Sequence, residues 1–246
     1  MVFYKIRNCI KAVLFDLDGT LLPMDQDEFV KAYFGLLAKR LAPLGYEAEK
    51  LYQVFWKGVA AMVKNDGSCV NGDAFWKVFT DVYGKESLKD KPFIDEFYEK
   101  EFNQVQAVCG FQRTAKEVVE MVKASGKSAV LATNPLFPHT ATENRMRWAG
   151  LEPEDFVLYT TYENSRFCKP NPKYYEEILQ RLDLKPEECV MVGNDFDEDM
   201  VPTKALGIQG FLLTDCLIHK GSQDISAYPQ GGFEDLKKYL VEKLAD

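Results

Sequence analysis

The sequence predicts an α/β fold: a parallel sheet with helices on both faces and an all-helical segment inserted after the first strand. Three observations carry this expectation. From Thr114 onward, short apolar runs alternate with stretches of helical spacing, the pattern of strands that pair in parallel under helical cover. Between Pro23 and Val105 the chain is aromatic-rich, shows no convincing strand and is too long to be a loop. Polar residues gather where the predicted strands end, at Asp16 and Asp18, at Thr133 and Asn134, and at Gly193 to Asp199. The carboxyl ends of parallel strands are where such sheets bind ligands.

Each element has a local reason. Ala12 to Phe15 is a short apolar run closed by two carboxylates and Gly19, as in a buried strand that enters a tight turn. Phe29, Val30, Tyr33, Phe34, Leu37 and Leu41 recur at helical spacing and stop near Pro43 and Gly45. Leu51, Tyr52, Phe55, Trp56, Val59 and Val63 repeat the pattern up to Asn65-Asp66-Gly67. Phe75, Trp76, Val78 and Phe79 mark a third helix, and Pro92, favourable in a first helical turn, opens a fourth through Phe93, Phe97 and Phe102. Beyond it the helices are Ala115–Ala124, ended by Ser125-Gly126, then Ala141–Trp148, Pro172–Leu182 and Phe233–Leu244. The strands between them are Ser128–Ala132, a short Phe156–Thr161, Cys189–Val192 and Ile208–Leu213.

The 246 residues suffice for one large domain or a core with a smaller companion, and 46% hydrophobic and 28% charged content are ordinary for a globular enzyme. A formal net charge of -8 argues against a nucleic-acid or anionic-membrane partner, both of which need a basic face. An anionic small molecule stays open, provided that positive potential is concentrated locally. No apolar run approaches a membrane span, and the first residues lack a signal-peptide pattern. The six cysteines are widely spaced with no CxxC pair, which predicts reduced thiols and a cytoplasmic setting.

Asp16 and Asp18 are the centre of the functional reading. Side chains two apart on a strand point to the same side, so both carboxylates can face one pocket while Gly19 lets the chain turn away. Two anions so close repel each other unless a cation lies between them. Mg²⁺, a hard cation with oxygen ligands, is the ordinary solution where phosphate is the substrate. The competing reading of a DxDG string is a plain surface turn.

In order and spacing, Asp16-Leu17-Asp18-Gly19-Thr20, Thr133 at a strand end, Lys169 in Cys-Lys-Pro-Asn-Pro, and Gly193 to Asp199 resemble the four motifs of the haloacid dehalogenase-like superfamily. The resemblance spans most of the chain. It implies a Rossmann-like core over residues 1–22 and 106–246 and a type 1 helical cap over 23–105. It further implies a phosphatase in which Asp16 is the nucleophile that forms an aspartyl phosphate, and Asp18 is the general acid and then base. Thr133 and the amides of Leu17 and Asn134 would bind phosphoryl oxygens, Lys169 would set a positive charge against phosphate and Asp16, and Mg²⁺ would complete the site. The Mg²⁺ would sit on Asp16, the Asp18 carbonyl and the fourth motif. That motif departs from the common Gly-Asp form. Asn194 stands at the glycine-aligned position, Asp195 is preferred as the carboxylate ligand, and Asp199 is assigned a supporting or water-mediated place.

The aspartate two residues after the nucleophile points to a phosphatase or to a sugar phosphomutase, and phosphatase is preferred. A phospho-accepting regulatory module without turnover is the reading from another class. The partner is thus a phosphorylated small molecule, and the protein a monomer or homodimer. Other residues read as structural: His139 as a surface or helix-start residue, Cys168 as packing, Arg145 and Arg147 as ordinary surface pairs, and Asp197 and Glu198 as solvated charges. Phe29, Tyr33, Phe55, Trp56 and Trp76 read as core of the helical segment, and Lys31, Arg40, Lys57 and Lys64 as its solvated face.

Overall fold

A computed structural model describes residues 9–245. The first element among the described residues is β1 (Ala12–Phe15), followed by α1 (Gln26–Leu41), α2 (Ala48–Val63), α3 (Asn71–Tyr83), α4 (Lys91–Glu99) and a 3₁₀ stretch, Glu101–Val108. It continues as α5 (Arg113–Ala124), β2 (Ser128–Leu131), α6 (His139–Trp148), β3 (Leu158–Tyr159), α7 (Pro172–Leu182) and β4 (Cys189–Gly193). A π-helical turn, Phe196–Met200, leads into α8 (Val201–Leu206), followed by β5 (Gln209–Leu213), β6 (Gln230–Gly231) and α9 (Phe233–Leu244). No helix among the described residues is long and apolar enough to cross a membrane.

Among the described residues the strands form one six-stranded sheet in the order β3-β2-β1-β4-β5-β6, with every neighbouring pair parallel. Phe15 lies opposite Leu131 on one side and Val192 on the other, so the carboxyl ends of β1, β2 and β4 open at one level. Strand order reverses beside β1, which sets a crevice at that edge. β1 is buried at every position because both faces are covered. Val13 and Phe15 pack with Ala129, Leu131 and Val190 against α5 and α9, whereas Ala12 and Leu14 pack against Tyr174, Tyr175 and Ile178 of α7. This is the period-2 alternation of a strand buried on both sides.

Helix ends follow local chemistry. Asp25 caps α1 by accepting from the amides of Asp27 and Glu28, and Lys39 and Arg40 sit in its last turn, favourable to the helix dipole. Asn171 caps α7 with Pro172 at its first position. Two stretches differ from the sequence expectation. The strand expected over 156–161 pairs only at Leu158–Tyr159, since it lies at the sheet edge beside β2. β6, the π-helical turn and α8 were not anticipated: Gln230-Gly231 has no apolar run, and the two helical pieces are too short to show a period.

The helices between β1 and α5 are fastened to the core by aromatic packing and buried hydrogen bonds. Phe102 lies 5.1 Å from Trp148 between ring centres, and Phe29 lies 6.1 Å from Phe137. Asn144 Nδ2 donates to the Tyr98 carbonyl at 2.8 Å, and the Gly72 amide to the Tyr162 carbonyl at 2.7 Å. The wholly buried Asn71 donates through Nδ2 to Cys168 Sγ at 3.2 Å and to the Phe167 carbonyl at 3.3 Å.

Candidate active site

The site is built on the exit of β1. The Asp16 amide continues the ladder to the Val192 carbonyl at 2.9 Å, after which the chain folds back. Gly19 has φ of 87°, and a Cβ there would lie 2.3 Å from Asn194 Nδ2, so both the turn and the close approach require glycine. The turn returns Thr20 to the carboxylate it follows. Thr20 Oγ1 lies 3.1 Å from Asp16 Oδ2 and 3.0 Å from Asn194 Oδ1. Leu17 is buried, and its carbonyl accepts from the Thr20 and Leu22 amides.

Lys169 reaches the same carboxylate from beneath. Its Nζ donates to Asp16 Oδ1 at 2.8 Å and to Asp199 Oδ1 at 2.6 Å, with only 1% of the residue exposed. Burial alone would lower the ammonium, but Asp16 and Asp199 outweigh it and hold it well above the ordinary lysine value. Burial holds the Asp199 carboxyl above the ordinary aspartate value, against the pull of Lys169. Its oxygens accept from Lys169 at 2.6 Å and from the Asp195 amide at 3.1 Å, while Tyr175 Oη lies 3.4 Å away and donates more closely to the Glu198 carbonyl at 2.9 Å. Gly193 makes room for it, because a Cβ there would meet Asp199 Oδ2 at 2.1 Å.

Thr133 is buried at the end of β2, where its carbonyl accepts from Thr160 Oγ1 at 2.6 Å and Tyr174 Oη at 2.9 Å. Asn134 Nδ2 donates to Glu198 Oε2 at 3.0 Å, and its Oδ1 is buried without a hydrogen-bond partner. Asn194 Nδ2 donates to the Cys216 carbonyl at 2.7 Å. Asp195 caps the Phe196–Met200 turn, accepting from the amides of Asp197 and Glu198. Thus Asp16, Asp18, Thr133, Asn134, Asn194, Asp195 and Asp199 line one cleft of about 840 Å³, with Lys169 buried against Asp16 and Asp199. Leu17 lies behind the wall, as suits a residue expected to act through its amide.

Two residues expected at the surface belong here instead. Arg145 of α6 is fully buried and donates through Nη1 to Asp18 Oδ2. Its Nε donates to the Ala141 carbonyl at 3.2 Å, and its guanidinium lies 4.3 Å from the Phe137 ring centre. The signal was positional. Ala141, Arg145 and Trp148 are spaced at helical intervals on one face of α6, and the arginine lies on the apolar stripe. Glu198 is half-buried on Asn134 and lines the cleft, and burial pushes its carboxyl up. Asp197 is exposed as expected, and Arg147 makes outer pairs with Glu143 and Glu152. His139 opens α6 at the surface, 3.0 Å from Glu163 Oε1.

Asp18 stands between opposing influences. Burial pushes its carboxyl above the ordinary aspartate value, and Arg145 draws it back. Its Oδ1 is buried with no hydrogen-bond partner among the described residues, although Oδ2 is paired. The surroundings of Asp16 fit a divalent cation that prefers oxygen. Carboxylates of Asp16, Asp18, Asp195, Glu198 and Asp199 crowd a region in which the buried cations Lys169 and Arg145 are already paired, Lys169 with Asp16 and Asp199 and Arg145 with Asp18, while Lys31 and Lys220 line the same cleft. Among the described residues no three Asp, Glu, His or Cys side chains converge as a closed metal cage. A cation held by one or two carboxylates, a carbonyl or amide oxygen and water, the habit of Mg²⁺, needs no such cage.

Residues 10–207 match the family model of a haloacid dehalogenase-like hydrolase. The chain belongs to the haloacid dehalogenase-like hydrolases. A phosphoglycolate phosphatase of Vibrio parahaemolyticus is 28% identical over 239 residues, covering 96% of both chains. A glyceraldehyde 3-phosphate phosphatase of Methanothermobacter thermautotrophicus is 26% identical over 211 residues, covering 83% of this chain and 85% of its own. In structure, this hydrolase aligns with a 2-haloacid dehalogenase from Pseudomonas syringae at a TM-score of 0.61 and 18% identity, over 95% of this chain and 99% of that one. The last likeness is one of fold.

Proposed function

We propose that the protein is a Mg²⁺-dependent phosphatase that hydrolyses a small-molecule phosphate monoester in the cytoplasm through an aspartyl phosphate on Asp16. The observation that carries the reading is the setting of Asp16. One oxygen is held by Lys169 and the other by Thr20, at the mouth of a cleft shared with Asp18. The phosphatase names of the relatives from Vibrio and Methanothermobacter support it. Asp18 separates this reading from dehalogenation, which does not need a second carboxylate to handle a leaving-group proton.

In the first step an Asp16 carboxylate oxygen bonds to phosphorus as the bond to the alcohol oxygen breaks, and Asp18 gives that oxygen a proton. In the second, Asp18 takes a proton from water as the water oxygen bonds to phosphorus and the bond to Asp16 breaks, releasing phosphate. Lys169 fixes the Asp16 carboxylate and offsets charge as it develops on the phosphoryl oxygens, with Thr133 and the Leu17 and Asn134 amides as donors. Arg145 is a positioning residue that holds Asp18 at the cleft wall. Mg²⁺ would be held by Asp16, the Asp18 carbonyl and Asn194 or Asp195, and would supply Lewis-acid polarisation of the phosphoryl group. The helices between β1 and α5 serve as the cap that shields the cleft from bulk water.

A phosphomutase would have to seat a second sugar hydroxyl as acceptor. The cavity beyond Asp18 is walled mainly by apolar and aromatic side chains, which favours water in that role. The test is hydrolysis of a panel of phosphate monoesters with Mg²⁺ by the wild type and by Asp16→Asn. Turnover by the wild type and its loss in the variant are expected; a wild type inert toward every monoester overturns the reading.

A further inference from the structure

A second cavity of about 170 Å³ opens from Asp18 into the helical segment, away from Lys169. Its walls are mainly the rings of Phe29, Tyr33, Phe55, Phe75, Trp76 and Phe137. The two chambers are continuous, since Asp18, Val30, Val59 and Phe137 line both. Polar groups along the wall are largely engaged with each other. Tyr33 Oη and Tyr98 Oη share a hydrogen bond of 2.7 Å, and Trp76 Nε1 donates to Tyr162 Oη at 3.4 Å. Among the described residues no lysine or arginine lines this cavity, and the nearby Arg145 is committed to Asp18 beneath the Phe137 ring. Lys31 lines only the outer cleft, and Arg40 is taken by Glu96 and Glu101 over the Phe93 ring.

We propose that the leaving group of the substrate is a small alcohol bearing a single aromatic ring, seated in this cavity while its phosphate lies against Asp16. The inference rests on the phosphatase reading of the same site. Size, wall and charge agree on it. An apolar cavity of roughly 150 Å³ accommodates a benzene ring, and the walls offer both faces and edges for offset and edge-to-face contact. A carboxylate or second phosphate on the leaving group would be buried here with Asp18 as its charged neighbour and no lysine or arginine on the cavity wall to receive it. A polyol would leave its hydroxyls unpaired against the rings. Phe29, Tyr33, Phe55, Trp56 and Trp76 therefore do more than fill the segment: the same rings that close its core present a binding wall.

Benzyl phosphate and 2-phosphoglycolate test this directly, because both are esters of primary alcohols and differ in ring against carboxylate. The expected result is kcat/KM for benzyl phosphate about tenfold or more above that for 2-phosphoglycolate, the scale of burying one ring. Val59→Phe and, independently, Val30→Phe, both at partly exposed positions on the wall, should each lower that ratio by about tenfold. Equal or better use of 2-phosphoglycolate overturns the inference and leaves the phosphatase reading standing. Calorimetric binding of benzylphosphonate, which is not hydrolysed, separates the two ideas from the other side. If no ester turns over yet benzylphosphonate binds and Val59→Phe weakens it, the cavity assignment holds and the phosphatase reading fails. If nothing turns over and benzylphosphonate does not bind, the inference is overturned as well.

Discussion

On one side of Asp18 the protein holds charge, and on the other it excludes it. In the cleft, Asp16, Lys169 and Asp199 lie in a chain of contacts of 2.8 and 2.6 Å, and every buried charge touches an opposite one. In the cavity a few steps away, rings face rings and the hydroxyls of Tyr33 and Tyr98 satisfy each other. The difference teaches how labour is divided in one continuous space. Positions in the cleft are fixed by a few specific ion pairs, whereas the wall of the cavity offers contact by area and shape, which many residues can supply.

The sharpest way to break the charged side is Asp16→Asn. With the nucleophile gone, phosphate release should fall by at least about 10⁴-fold, on the scale seen when a covalent catalyst is removed. A variant retaining more than a hundredth of the rate would show that Asp16 is not the nucleophile. Chelation with EDTA should silence the wild type on every monoester and Mg²⁺ should restore it; turnover that survives chelation would separate the cleft from metal chemistry altogether. Neither change should alter the affinity of the ring-lined side for a neutral aromatic such as benzyl alcohol, which equilibrium dialysis can follow.

Arg145→Met tests the boundary itself. The substitution leaves Asp18 buried without its partner, so denaturant unfolding should show a loss of about 3 kcal/mol or more, together with slower turnover. Arg145→Lys should recover part of the stability and less of the rate, since an ammonium cannot reproduce a guanidinium held on both Asp18 and the Ala141 carbonyl. If both variants keep wild-type kcat, Arg145 is a structural cation only. The smallest effect is expected from Thr20→Val, which keeps shape while removing the hydroxyl on Asp16 and Asn194. A loss of about tenfold in kcat, with the fold intact by circular dichroism, would match one hydrogen bond to a charged group.

Legibility in the sequence follows the same division. β1, α7 and α9 could be bounded from the sequence because an abrupt end of apolar spacing, a proline after a cap, or a glycine run marks each limit. The residues around the cleft were legible since they sit at strand ends in short strings, where Asp16, Thr133, Lys169 and Asp199 each follow an apolar run or a proline-flanked turn. Arg145 was not, because a lone arginine on a helix reads as solvated until its neighbours on the face are known to be covered. Glu198 was hidden for a like reason: its burial depends on Asn134, sixty-four positions away. The cavity was least legible of all, being assembled from rings on separate helices that, read singly, are ordinary core.

Asn71 ties α3 to Cys168 and to the Phe167 carbonyl, next to Lys169 in the chain. Any movement that lifts α3 from the core has to break bonds made by the segment that carries Lys169. The hold on α3 and the placement of Lys169 thus share one short stretch of chain, so that a substitution at Asn71 which loosens the first is expected to disturb the second.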